Sequence, residues 1–366
     1  MMTIKTIFTF VPFAVFALTA WTYVWSCGWG KKARWLWLCW LLFCCSKFFC
    51  FRNIGGDSFY PEFPEFVIWF WNWAYSGAMM LAVLSLVWWH RSRRWLLPLV
   101  AWSLSAFGLW EGVRVPDVVE REIVFPDLPA ELDGYRIVQL SDIHASSASR
   151  RWRTEKLVAK ANALDADLVC LTGDYVDGRV KLREEDVAPL GNLKARDGVY
   201  AVTGNHEYYF NWAEWRKAYE NFGVRFLSNA CVFPRRSLAL GGMNDERVCN
   251  RKTGELFGDV PDVRRTFAAA TNGEFRVLLQ HRPGKAAENI REVGVRLQLS
   301  GHTHGGIMPG FSYLVLVHNQ GFVRGLYRIA DGILYVHPGS GQWAGFPMRF
   351  LDPAEITVLT LRRRTR

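Results

Sequence analysis

Val295-Arg296-Leu297-Gln298-Leu299-Ser300-Gly301-His302-Thr303-His304-Gly305-Gly306 is an apolar run that ends in two imidazoles set among glycines. Alternate side chains of a regular strand share a face, so His302 and His304 are expected to turn toward one site. The glycines let backbone pass close to whatever sits there. Taken alone, the pair fits an ordinary turn equally well. The same punctuation recurs upstream, however. Residues 135–140 precede Ser141-Asp142-Ile143-His144, and 168–172 precede Gly173-Asp174. Residues 199–203 lead into Gly204-Asn205-His206-Glu207, and 275–279 into Gln280-His281. Each cluster by itself is most simply a capped turn or a helix entry. Together they are five strand ends expected to converge on one edge.

Helical patterns at 154–164, 185–194 and 212–222 separate the strands, the last with Asn211 as N-cap, Glu214 at its third position and Gly223 just past its end. Strand and helix alternating at these lengths predict an α/β sheet, with functional residues beyond the carboxyl ends of the strands. After Gly306 the helical signal fades, and 314–317, 322–327, 333–336 and 356–361 are expected as strands.

The chain of 366 residues is divided by composition. Residues 1–115 hold 14 of its 18 tryptophans and 14 charged residues, 10 Lys/Arg and 4 Asp/Glu, against 34 Lys/Arg and 30 Asp/Glu in the rest. The net charge of +10 thus falls as +6 on the apolar third and +4 on the remainder, too diluted by acids to argue for nucleic-acid binding. Apolar stretches at 7–25, 33–51, 66–89 and 95–110 approach the roughly 20 residues of a membrane-crossing helix, so four spans are expected over 1–112. Lys47 is expected to snorkel from its segment end. The Lys31/Lys32/Arg34 and Arg91/Arg93/Arg94 loops outweigh the Arg52/Asp57/Glu62/Glu65 loop in basic charge. With four spans, the positive-inside rule places the C-terminal domain outside the cytoplasm. Pro116, Pro126 and Pro129 mark 113–133 as a linker, and 134–366 as the catalytic domain. Cys231 and Cys249 are left open as a pair.

Asp142, His144, Asp174, Asn205, His206, His281, His302 and His304 together take five of the eight histidines. Mixed oxygen and nitrogen donors suit borderline divalent ions, Mn, Fe, Zn or Ni, and more than four ligands imply two ions. These blocks, in this order, resemble those of the calcineurin-like metallophosphoesterase superfamily. The Gly301–Gly306 and Tyr335-Val336-His337-Pro338-Gly339-Ser340-Gly341 stretches, with Met348-Arg349, resemble its membrane-associated bacterial branch. The branch includes phosphodiesterases and enzymes that cleave a lipid-linked sugar nucleotide.

The resemblance implies an αββα sandwich of two mixed sheets flanked by helices. It also implies Asp142, His144 and His304 on one metal, Asn205, His281 and His302 on the other, and Asp174 bridging them. Two cations about 3.5 to 4 Å apart supply a bridging hydroxide for in-line attack. His206 is then the general acid, and Asp177 orients a ligand. Arg349 binds a phosphate oxygen or is an ordinary surface arginine. His90, His318 and His337 are read as non-ligands, His337 near enough to support one. Ile307 and Gly284 replace a Gln and an Asp common in relatives, so substrate contacts are expected to differ. The expected protein is a membrane-anchored dimetal phosphoesterase at the bacterial inner membrane. Its expected partners are the bilayer and a phosphodiester or pyrophosphate substrate, with a lipid-linked one as a further expectation. A broad phosphomonoesterase, or a membrane sensor with an inert domain, are the alternatives.

Overall fold

The computed structural model describes residues 4–88, 91–250, 253–271, 273–307 and 311–364; Trp89 and His90 lie outside them. The chain forms two compact units, Met1–Val113 with Trp343–Phe350, and Arg114–Gln342 with Leu351–Arg366.

The first unit is helical: Ile4–Thr19 continuing through a π-helical turn at Ala20–Val24, then Lys31–Cys45, Lys47–Asn53, Glu65–Val87 and Leu97–Val113. Two stretches, Glu65–Val87 and Arg94–Val113, are long and apolar enough to cross a membrane, and Lys31–Cys45 with Lys47–Asn53 makes a third if the pair is one span. That corrects the expected four. The second span is bent by 47° at Ser46, whose hydroxyl donates to the Phe43 carbonyl, and the first reaches span character only as the shorter Phe10–Val24 helix. Small residues let helices approach here. A Cβ on Gly77 would sit 2.4 Å from the Trp102 indole nitrogen, and one on Gly112 would sit 2.6 Å from the Pro347 carbonyl. Lys47 does not snorkel. It is fully buried, donates to Asn72 Oδ1 at 2.5 Å and to the Gly345 carbonyl at 2.6 Å, and lies 4.4 to 5.5 Å from the rings of Phe48, Phe51, Tyr75 and Phe346. The 343–350 segment supplies an acceptor that a helix-by-helix reading does not contain.

The second unit is a sandwich of two six-stranded sheets. One runs β1 (Asp117–Phe125), β12 (Glu355–Arg363), β2 (Arg136–Leu140), β3 (Leu168–Leu171), β4 (Val199–Ala201), β5 (Arg225–Phe226). The other runs β10 (Gly325–Ile329), β11 (Gly332–Val336), β9 (Leu297–Ser300), β8 (Phe275–Leu279), β7 (Leu238–Gly242), β6 (Ala230–Arg235). Both are mixed: β2, β3, β4 and β5 are parallel, as are β7, β8, β9 and β11, while β12 is antiparallel to β2, and β6 and β10 are antiparallel edges. Ile137, Leu168 and Cys170 of one sheet meet Leu240, Val277 and Leu297 of the other in the buried layer between them. The outer faces pack under helices, Val138 and Val169 against Leu157 and Trp215, and Leu278 against Ile290 and Phe267. Strands covered on both faces read as unbroken apolar runs, which is why they stand out in the sequence. Each fully buried large aliphatic contributes about 1.5 to 3 kcal/mol.

Three expectations change. The stretch 113–133, expected as a linker, carries β1, a parallel partner of the C-terminal β12. Residues 314–317 lie in the helix Phe311–His318, not in a strand. Asn211 does not cap the 212–221 helix: its backbone is left-handed and its amide donates to Glu214 Oε1. Cys231 and Cys249 are both free.

Candidate metal centre

The five strand ends come from two sheets rather than one edge: β2, β3 and β4 from the first, β8 and β9 from the second. Gln139 ties the sheets together where they meet, its amide donating to Thr172 Oγ1 and to the Ser300 carbonyl, both at 3.0 Å. Each chain then turns sharply. Asp142, His144, Asp174, His302 and His304 all have left-handed backbones, φ between 48° and 73°, a conformation that costs a non-glycine residue of order 1 kcal/mol or more. Neighbouring glycines make room. A Cβ on Gly204 would lie 2.2 Å from Asp174 Oδ1, and one on Gly301 would lie 2.0 Å from Ser141 Oγ and 2.3 Å from Asp142 Oδ2.

Two groups of donors result, Asp142/His144/His304 and Asp174/His281/His302, the donor atoms in each within 4.8 Å of one another. In the first, His144 Nε2 faces His304 Nε2 at 3.0 Å, and His304 Nε2 lies 3.4 Å from Asp142 Oδ1. In the second, His281 Nε2 lies 3.1 Å from Asp174 Oδ2 and 3.2 Å from His302 Nδ1. The opposite ring nitrogens fix the tautomers. His281 Nδ1 donates to the Thr172 carbonyl at 2.7 Å and His144 Nδ1 to Asp177 Oδ1 at 3.0 Å, which leaves both Nε2 atoms as lone pairs. Bare nitrogens thus point at a carboxylate and at other imidazoles, an arrangement that only a proton or a cation satisfies. The residues fit divalent ions.

A family model described as calcineurin-like phosphoesterase matches residues 135–306. Relatives include an uncharacterised metallophosphoesterase of Aquifex aeolicus, 30% identical over 231 residues, 62% of this chain and 85% of that protein. The chain belongs to the calcineurin-like phosphoesterase family. A Danio rerio protein named a transmembrane protein with metallophosphoesterase domain is 34% identical over 269 residues, 71% of this chain and 60% of that one. An uncharacterised Helicobacter pylori metallophosphoesterase is 32% identical over 255 residues, 69% and 66% of the two chains. This phosphoesterase therefore spans under two thirds of the length of both. A dimetal phosphatase from Danio rerio, a solved structure, aligns with a TM-score of 0.38 and 12% identity over 57% of this chain and 88% of its own.

The remaining expected site residues fall as follows. Asn205 is buried; its Oδ1 accepts from Arg282 Nη2 at 2.9 Å. His206 donates its backbone N–H to Asp174 Oδ1 at 2.8 Å, its Nε2 lies 3.8 Å from Asp174 Oδ2, and its Nδ1 meets Asp177 Oδ1 at 2.5 Å. Asp177 thus joins His144 and His206 through one oxygen. Arg349 is fully buried in the helical unit, its backbone N–H on the Gly108 carbonyl at 2.9 Å, so it is not a surface arginine. His337 Nδ1 accepts from the Gly339 N–H at 2.9 Å. His318 is exposed in its helix.

The charges in this phosphoesterase's site are set by burial working against close pairing. Burial disfavours the Asp174 anion, yet His281 and His206 hold it well below the carboxylate range. Asp142 is raised, first by burial, despite His281. Burial likewise opposes the Asp177 charge, but His144 and His206 hold it at about 2. His281 is pushed up to about 10, Asp174 overriding its burial, and His206 to about 9, Asp174 and Asp177 doing the same. His302 goes the other way: burial and then Arg282 hold it neutral, well below its usual value.

Two participants went unassigned in the sequence reading. Glu207 accepts from the backbone N–H groups of Asp174, Tyr175 and Gly204 at 2.7 to 3.0 Å, clamping two strand ends together, and burial followed by Asp174 pushes it up to about 7. Its place three residues into Gly204-Asn205-His206-Glu207, a capping-box position, was the available signal. Arg282 donates through Nε to Asp245 Oδ2 at 2.7 Å and approaches His302 Nε2 at 3.1 Å. An arginine directly after His281 carries no signature of its own.

Proposed function

We propose that this chain is a membrane-anchored phosphoesterase that hydrolyses a P–O bond of a phosphodiester or pyrophosphate with two divalent ions. Asp142, His144 and His304 hold one ion, Asn205, His281 and His302 the other, and Asp174 lies between the groups. When bound, the ions polarise phosphoryl oxygens and acidify a water for in-line attack. The observation that carries the reading is the Asp177–His206 pair beside the two donor groups. Asp177 keeps a proton on His206, whose Nε2 faces the site at 12% side-chain exposure, where it protonates the departing oxygen. A positioned acid of this kind is worth about 10² to 10⁴ in rate. Glu207 holds the Asp174 and Asn205 turns in register, and Ser141 Oγ donates to Asp142 Oδ2 at 2.6 Å, leaving that carboxylate one fixed orientation.

The diester preference rests on the resemblance of residues 301–306, 335–341 and 348–349 to membrane-associated relatives. An envelope-side, lipid-linked substrate rests on the apolar helices and on the basic loops. The deciding experiment offers purified protein with Mn²⁺ an aryl phosphodiester and an aryl phosphomonoester. Faster diester turnover is expected, and faster monoester turnover makes it a phosphomonoesterase. Protease access to the 134–366 domain in intact cells tests its side of the membrane.

A further inference from the structure

The bend at Ser46 opens a cavity of about 990 Å³ in the helical unit, lined from both limbs of the broken helix and from the first helix. That is the upper end of the roughly 300 to 1,000 Å³ of small-molecule sites. Its lining is divided. Phe13, Leu42 and Phe49 present apolar side chains that are 69%, 61% and 69% exposed. Arg52 stands about one turn beyond Phe49, at the end of the Lys47–Asn53 helix. Arg52 is exposed, and no carboxylate among the described residues pairs with it. The nearest acid of the lining, Asp57, is committed to its own turn, Oδ1 accepting from the Phe59 and Tyr60 N–H groups at 2.7 and 3.2 Å.

An apolar trough with one unpaired cation at its polar end is complementary to an acyl chain carrying an anionic phosphate. A guanidinium fork binds such a phosphate through two parallel hydrogen bonds, and a basic side chain at the lipid surface favours anionic headgroups. We propose that this cavity is a binding site for an anionic glycerophospholipid, with its phosphate on Arg52 and an acyl chain along Phe13, Leu42 and Phe49. The site uses none of the metal-binding residues and does not depend on which ester the enzyme cleaves. A neighbouring bulk lipid would need no cavity; a trough closed on two sides by the bent helix retains one molecule.

The full-length protein in detergent, stripped of lipid and given equal palmitoyl-oleoyl phosphatidylglycerol and phosphatidylcholine, is read by native mass spectrometry. The wild type retains phosphatidylglycerol in preference to phosphatidylcholine. Arg52→Glu lowers phosphatidylglycerol retention about tenfold or more, the loss of one charge-assisted contact, and Leu42→Trp, which fills the trough, lowers retention of both lipids. Both positions are exposed, and gel filtration with circular dichroism checks each variant's fold, so that either one alone decides if the other aggregates. Equal retention of the two lipids by the wild type, or retention unchanged in a folded variant, overturns the site.

Discussion

Asp177→Asn isolates the charge of one residue from its shape. Asp177 Oδ1 serves both His144 Nδ1 at 3.0 Å and His206 Nδ1 at 2.5 Å, and an asparagine oxygen can still accept from both rings. What disappears is the anion that, after Asp174, holds His206 up at about 9 against the pull of its burial. With it gone the ring falls back toward its ordinary 6.5. The sign follows directly. The departing oxygen needs the protonated ring, so rate declines as pH rises through the His206 value, and the variant declines at lower pH than the wild type. Bound cations lower the limb in both proteins, so the separation between the two profiles is the quantity to read. Each unit of separation is a tenfold loss of rate above both limbs, about 1.4 kcal/mol. Loosening of His144 adds its own cost, and losing such a partner to a metal-binding histidine typically removes about 10- to 100-fold. We expect kcat/KM at neutral pH to fall by about 10- to 100-fold. The assay uses aryl phosphodiesters of graded leaving-group acidity with Mn²⁺, and His206→Ala alongside. Both variants should recover as the leaving group becomes more acidic, because a good leaving group needs no proton. A wild-type pH profile in Asp177→Asn, or an equal deficit for every leaving group, would refute the assignment of His206.

Arg282→Ala should raise KM for a phosphodiester by about 10- to 100-fold, the worth of one hydrogen bond to a charged group. The reason is that an imidazole binding metal through Nδ1 carries its proton on Nε2. It can then no longer accept from Arg282, and the guanidinium, still held by Asp245, is freed for phosphate; an unchanged KM in steady-state kinetics counts against this. Gly301→Ala puts a methyl 2.0 Å from Ser141 Oγ and 2.3 Å from Asp142 Oδ2. It should cost about 1 to 3 kcal/mol in thermal unfolding and lower the bound metal measured by elemental analysis. Metal uptake should release protons, since His281 stands at about 10 before loading and must surrender its proton to bind an ion. Apparent affinity then rises with pH up to about 10, by up to tenfold per unit, and titration calorimetry in buffers of different ionisation enthalpy reads the protons directly.

How far the sequence carried depended on what each residue needed in order to be placed. Asp142, His144, Asp174, Asn205, His281, His302 and His304 lie in short blocks directly after apolar runs, and local order alone brought them into view. β1 did not show, because its partner is β12, some 240 residues later, and its own stretch is flanked by prolines. β7 escaped for another reason: Gly241 and Gly242 read as a turn. They are glycines because Phe267 and Leu227 come within 2.6 and 2.4 Å of where their Cβ atoms would be. The number of spans was overcounted since hydropathy records length and composition, not the break at Ser46. Lys47 was misplaced because its acceptor, the Gly345 carbonyl, arrives from the far end of the chain.

The pair His302 and His304 shows why a right reading can rest on a wrong geometry. Strand alternation would put them on one face, yet β9 ends at Ser300, and both residues lie beyond it with φ of 73° and 50°. Left-handed turns, not pleating, aim them, and they send the two imidazoles to different donor groups: His304 toward Asp142, His302 toward His281. The same device recurs at Asp142, His144 and Asp174. Conformations this unfavourable persist only where the surroundings over-determine them. Here Asp142 Oδ1 and Oδ2 accept from the His302 N–H at 3.1 and 3.0 Å, the Gly341 N–H donates to the Asp142 carbonyl at 2.9 Å, and the His144 N–H reaches the Asp174 carbonyl at 3.1 Å. Each strained turn is thus braced by another strand end. The site is therefore one cross-linked object, built before any ion arrives, and a change in one turn should be felt by ligands belonging to the other sheet.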